Sequence, residues 1–114
     1  MAQLLVDRRD VSFALHEQFA AGELSKYSKF KEYNPKVMDM VVNEARNLAM
    51  KELLPINKNG DQQGCRFKDG QVTTPDGFQR AWQLLVDGEW IAMDSSPEYN
   101  GQGMPSILQI SAWE

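Results

Sequence analysis

Apolar residues recur along most of this chain at spacings of three and four, the signature of helices that bury one face. Val11, Ala14, Leu15 and Phe19 obey that rule. Asp10 precedes them as a cap and Gly22 follows as a stop, which predicts a first helix over about residues 11–21. A short helix or turn is predicted over residues 24–33, with Leu24, Tyr27 and Phe30 on one side. The clearest pattern comes next. Asn34 is a good N-cap, and Pro35 occupies the first helical position, where its missing N–H costs nothing. Val37, Val41, Ala45, Leu48 and Glu52 follow one side, with Met38, Val42, Ala49 and Leu53 beside them. Lys36, Asp39, Asn43, Arg46 and Asn47 take the wet side. So wide a stripe predicts a central helix, ended by Pro55 near Leu54.

The stretch "INKNGDQQGCRFKDGQVTTPDG" breaks the helical pattern and reads as one long connection. Inside it, Asp69-Gly70 separates Arg66-Phe67 from Val72-Thr73, the signal of a short β-hairpin near residues 65–73. Thr74 is placed to cap a further helix with Pro75 at its first position. Phe78, Ala81, Trp82 and Leu85 make its apolar face, and Gly88 supplies its stop. "EWIAM" is a short apolar link. Pro105 opens a last helix carrying Ile107, Leu108, Ile110, Ser111 and Ala112. Neither Gly, Asn nor Pro ends that last pattern, which reads as a helix cut part-way. The fold class expected is mainly α, with four to five helices.

Composition narrows the function. With 114 residues the chain is one domain at most. Twelve basic against 16 acidic residues give a net charge of -4, which argues against non-specific nucleic-acid binding. The local basic run at Lys26, Lys29 and Lys31 is flanked by Glu23 and Glu32 and reads as a solvated surface. A single cysteine, Cys65, excludes an internal disulfide and a multi-cysteine metal site. The N-terminal apolar stretch is too short for a signal peptide, and no run reaches transmembrane length, so a soluble, cytoplasmic protein is expected.

The candidate chemistry is sparse. His16, the single histidine, has no nucleophile-elbow sequence to serve and reads as structural. Cys65 has one cationic neighbour, Arg66, and reads as a half-buried packing cysteine, with a thiol nucleophile as the weaker alternative. An EF-hand centred on Gly60 fails, because Arg66 falls where the loop needs its bidentate Glu. Asp61, Asp69 and Asp76 have no ligand spacing for zinc or magnesium. Gly101 and Gly103 match two positions of G-x-G-x-x-G, but Ser106 stands at the third. These glycines read as backbone at positive φ, or in close approach to a neighbour, before a helix start. Trp82, Trp90 and Trp113, with Met38, Met40, Met50, Met93 and Met104, read as core and interface.

"GEWIAMDSSPEYNGQGMPSILQISAWE" resembles the N-terminal helical domain of acyl-CoA dehydrogenases. That family carries a small-residue and tryptophan step, an apolar link, then P-E-x-G-G-x-G and a helix. Gly88, Trp90, Pro97, Glu98, Tyr99, Gly101, Gln102 and Gly103 stand in those places, and Asn100 replaces the first glycine. Asn tolerates left-handed backbone, so the turn should be kept. "DRRDVSFALHEQF", "ARNLAMKELLPINKNGDQQGC" and "FKDGQVTTPDGFQRAWQLLVDGEW" resemble a large bacterial branch with an extra N-terminal segment.

The resemblance implies that residues 1–33 are that extension and residues 34–114 the incomplete start of the helical domain. It implies α,β-dehydrogenation of a fatty-acyl-CoA thioester with FAD, a catalytic glutamate that takes the α-proton, and electron-transfer flavoprotein as acceptor. The glutamate and most flavin contacts belong to later domains of the family, so no catalytic, cofactor-binding or metal residue is assigned here. Tyr99, Gly101 and Gly103 are carried over as wall of the acyl pocket. The fragment alone is expected to be inactive and to self-associate through surface that the remaining domains would cover. The alternative reading is a free-standing helical protein-interaction module.

Overall fold

The computed structural model describes residues 5–114. It is mainly helical, with five α-helices and one two-stranded antiparallel sheet among the described residues. The chain divides into two compact units, one made of the residues up to Asn47 together with Ala92–Glu114, the other of Leu48–Ile91.

In the first unit, helix α1 spans Arg8–Ser12 and runs on as a wider, π-helical segment over Phe13–Gln18. Its cap is Asp7, not Asp10: the Asp7 carboxylate accepts the Arg9 N–H at 2.8 Å and the Asp10 N–H at 3.3 Å. Helix thus begins three residues earlier than the apolar spacing implied. Its end comes earlier too, because Ala20 turns left-handed at φ 46° before Gly22 is reached. Two tight 3₁₀ turns follow, over Ala21–Lys26 and Ser28–Phe30. They fit the short element expected there, but Tyr27 faces solvent.

Helix α2 spans Pro35–Leu48, and Asn34 Oδ1 accepts the Val37 N–H at 3.0 Å as its cap. Pro55 does not end the helical path. A π-helical turn over Ala49–Leu53 leads into helix α3, Leu54–Gln63, with Pro55 in its first turn. Pro55 has no N–H to give to the ladder, and the wider turn before it takes up that gap. The π turn supplies the alternative register, with the Leu54 N–H reaching back to the Ala49 carbonyl. "INKNGDQQ" is therefore helix, and the long connection shrinks.

The core of the first unit gathers Val11, Leu15, Ala21, Met38 and Leu108, with Val6, Tyr33, Val41, Val42, Met104 and Ile107 packed around them. Leu108 comes from helix α5, Ser106–Trp113, which Pro105 introduces as expected. Met38, Met93 and Leu108 are fully buried, whereas Met40 and Trp113 are exposed.

The second unit holds α3, the hairpin and helix α4, Phe78–Asp87. Strands β1, Arg66–Lys68, and β2, Gln71–Thr73, pair with Phe67 opposite Val72. Asp69 and Gly70 both take positive φ, 51° and 77°, as a two-residue type I′ hairpin turn requires. Thr74 and Pro75 do not open α4. A turn intervenes, and Gly77 occupies the cap position with no side-chain hydrogen bond. At the far end the left-handed residue is Glu89, not Gly88. The Trp90 N–H bonds the Leu85 carbonyl and the Glu89 N–H the Val86 carbonyl, a Schellman closure. Gly88 is needed for space: a Cβ there would sit 2.6 Å from the Trp90 indole nitrogen.

Candidate functional site

The segment from Ala92 to Ser106 builds one corner of the first unit. Pro97–Tyr99 makes a single 3₁₀ turn. Asn100 closes it in the left-handed region at φ 64°. The Asn100 N–H bonds the Pro97 carbonyl at 3.1 Å and the Gly101 N–H the Ser96 carbonyl at 3.1 Å. This is the same closure that ends α4, here with the asparagine that stands in the glycine position.

The chain then folds back on its own approach. The Gln102 N–H bonds the Ala92 carbonyl, the Gly103 N–H that of Ser95 and the Met104 N–H that of Met93, at 2.9–3.1 Å. Backbone packs so tightly that a Cβ at Gly101 would lie 2.1 Å from the Ser95 carbonyl oxygen. Gly101 is therefore the close-approach glycine, while Gly103, at φ 66°, is the positive-φ one. Both roles expected of this pair occur, one at each position.

Side chains lock the corner to α5. Ser106 Oγ donates to Asp94 Oδ2 at 2.9 Å, and the Asp94 N–H donates to Gln109 Oε1 at 3.2 Å. The Asp94 carboxylate thus sits at the start of α5, where the helix dipole favours a negative charge. Tyr99 lies at the tip of the turn and is 76% exposed. The structure accordingly brings Tyr99, Gly101 and Gly103 into one corner, with the glycines inside it and the phenol turned outward.

Tyr33 reaches this corner from 69 residues away, its hydroxyl donating to the Gln102 carbonyl at 2.8 Å. Its ring packs against the buried core. Burial, and then the neighbouring Glu32 charge, raise the phenol above its ordinary pKa. No local pattern in the sequence marks this contact.

His16 Nε2 lies 2.6 Å from Asp39 Oδ1, linking the π-helical segment to α2 in an arrangement that suits a structural histidine. Arg46, assigned to the wet side of α2, is half-buried and reaches the Val6 carbonyl at 3.5 Å. Cys65 corrects the sequence expectation: it is exposed, because it lies in the turn between α3 and the hairpin and packs into no core. In the second unit Arg80 pairs with Glu52, and that hydrogen bond holds the Glu52 carboxyl below its ordinary range. Lys26 pairs with Glu23, as expected of a mixed charge run. Among the described residues, no group of three His, Cys, Asp or Glu side chains is placed to hold a metal ion. No helix among them is long and apolar enough to cross a membrane.

A scan of the chain against models of protein families finds no match. A comparison with curated proteins finds 3-methylmercaptopropionyl-CoA dehydrogenase of Ruegeria pomeroyi, 24% identical over 106 residues. That alignment takes in 93% of this chain, and the chain spans 18% of that relative's length. The likeness supports an origin in the acyl-CoA dehydrogenase family.

Proposed function

We propose that this chain is an N-terminal helical portion of an FAD-dependent acyl-CoA dehydrogenase, a larger enzyme that desaturates an acyl-CoA thioester between its α and β carbons. The observation that carries the reading is the likeness to a dehydrogenase of an acyl-CoA over nearly the whole chain. The geometry of the corner agrees with it, since Asn100 keeps the left-handed turn that the glycine of the family motif would make.

In this reading the corner carrying Tyr99, Gly101 and Gly103 forms part of the wall beside the acyl group, and the glycines shape backbone instead of cradling phosphate. Bound FAD would accept the hydride from the β carbon, and electron-transfer flavoprotein would take the electrons onward. Among the described residues no polar or charged side chain is buried, and no buried side-chain nitrogen or oxygen lacks a partner. The base and most of the flavin contacts are assigned to the rest of the enzyme, as the family resemblance implies.

Two measurements test the proposal. Reading the gene beyond the codon for Glu114 should reveal an open frame into further dehydrogenase domains. A stop codon at that point would overturn it in favour of a free-standing helical interaction module. The purified 114-residue chain, mixed with FAD and an acyl-CoA, should carry no flavin through gel filtration and leave the flavin colour unchanged. Stoichiometric bleaching would contradict the assignment of the chemistry to other domains. Exposed apolar side chains such as Ile110 and Trp113 are read as surface that self-associates, and a clean monomer by light scattering at high concentration would count against that.

A further inference from the structure

The corner is knit by backbone hydrogen bonds that stay within residues 92–104. Those bonds shape the corner, while buried Met93 and core-packed Met104 seat its two ends. Its glycines carry no side chains to anchor it, and Tyr99 at its tip is exposed. Asp94 and Gln109 tie its approach to α5. Tyr33 acts on the returning strand of the corner. It sits immediately before the Asn34 cap of α2, with its ring against the core of Val11, Leu15, Ala21, Met38 and Leu108. Its hydroxyl meets the carbonyl of Gln102, between Gly101 and Gly103, at 2.8 Å.

We propose that Tyr33 is the positioning residue of this corner: its phenol clasps the Gln102 carbonyl to the core and so sets where Gly101, Gly103 and Tyr99 stand. Geometry supports the clasp in two ways. The residue it holds lies between Gly101, pressed on Ser95, and Gly103, at positive φ, so holding it bears on both neighbours. The anchor is a half-buried ring, so the hydroxyl arrives with little rotamer entropy left to lose. The consequence for an acyl pocket rests on the functional reading above; the clasp itself does not.

Tyr33→Phe removes the hydroxyl and keeps the ring in the core. In this variant the amides of Gln102, Gly103 and Met104 should exchange with solvent roughly three- to tenfold faster, the range one net hydrogen bond supports. Amides in the middle of α2 and in α4 should be unchanged. The Gln102 carbonyl ¹³C resonance should shift as it loses a hydrogen bond, a signature that a general loosening of the core does not single out. Unchanged exchange at these three amides, or equal acceleration across the chain, would overturn the proposal. If the variant does not fold, the wild-type chain decides the matter. A clasped Tyr33 hydroxyl exchanges slowly enough to give a deuterium isotope splitting on its ring ¹³Cζ signal, and one averaged signal refutes the clasp. None of these readouts involves a ligand, so their failure leaves the reading frame beyond Glu114 as a separate test of the function.

Discussion

The two units are stabilised by different means. The first closes around buried Val11, Leu15, Ala21, Met38 and Leu108, drawn from the two ends and the middle of the chain. In the second, the buried residues are Gly60, Pro75 and Ala81, all small or compact. Leu53, Leu54, Ile56, Leu84 and Leu85 are only half-buried, and Phe67 is 75% exposed, Val72 67% and Trp82 56%. Burial of apolar surface is the dominant favourable term in folding. The first unit therefore draws on it heavily, whereas the second has less of it and relies more on helix hydrogen bonds and turn geometry. An exposed two-stranded hairpin is marginal alone.

The sharpest way to break this comparison is a deletion in the first core. Leu15→Ala should cost about 2–5 kcal/mol and lower the urea midpoint of the helical signal more than any substitution in the second unit. A smaller loss than that of Trp82→Ala would invert the contrast. Among the second unit's glycines Gly60 has the least room for a side chain, since an added Cβ would lie 2.4 Å from the Phe78 ring. Gly60→Val should cost about 1–3 kcal/mol by displacing Phe78, with faster amide exchange in α3 and α4. No loss would mean that the ring moves aside freely.

Gly70→Ala isolates backbone from packing, because nothing lies within 4 Å of the added carbon. The left-handed penalty of about 1–2 kcal/mol should appear as loss of the cross-strand contact between Phe67 and Val72 by NMR, with the first unit untouched. The smallest effect is electrostatic. Glu52 is held below its ordinary carboxylate range by its hydrogen bond to Arg80, so the pair contributes stability above that range. The contribution is lost as pH falls through the depressed value. The stability difference between wild type and Arg80→Gln should be small near neutrality and shrink further in acid and in salt, as paired urea titrations would show. A difference that grew in acid would contradict the sign.

Local rules were legible where a few neighbouring residues control the outcome. Asp69-Gly70 specified the hairpin and its turn, Asn34-Pro35 the start of α2, and Asn100 with Gly101 and Gly103 the corner. Local rules failed where a competing local option was available. Asp7 and Asp10 are both fit to cap, and only the chain path chose Asp7. Pro55 breaks a regular helix but passes once a π turn resets the register.

By itself, then, the sequence determined the mainly helical class, the hairpin and the backbone shape of the corner, because turn and cap residues act within a few positions of themselves. It also carried the likeness to a dehydrogenase of an acyl-CoA. Only the tertiary structure decided that Tyr33 holds the Gln102 carbonyl, that His16 meets Asp39, that Cys65 stands in solvent and that the core lies in one unit. Those facts join residues far apart in the chain, and a hydrogen bond across that separation leaves no period or spacing to read. It exists because packing brings two segments to the same place.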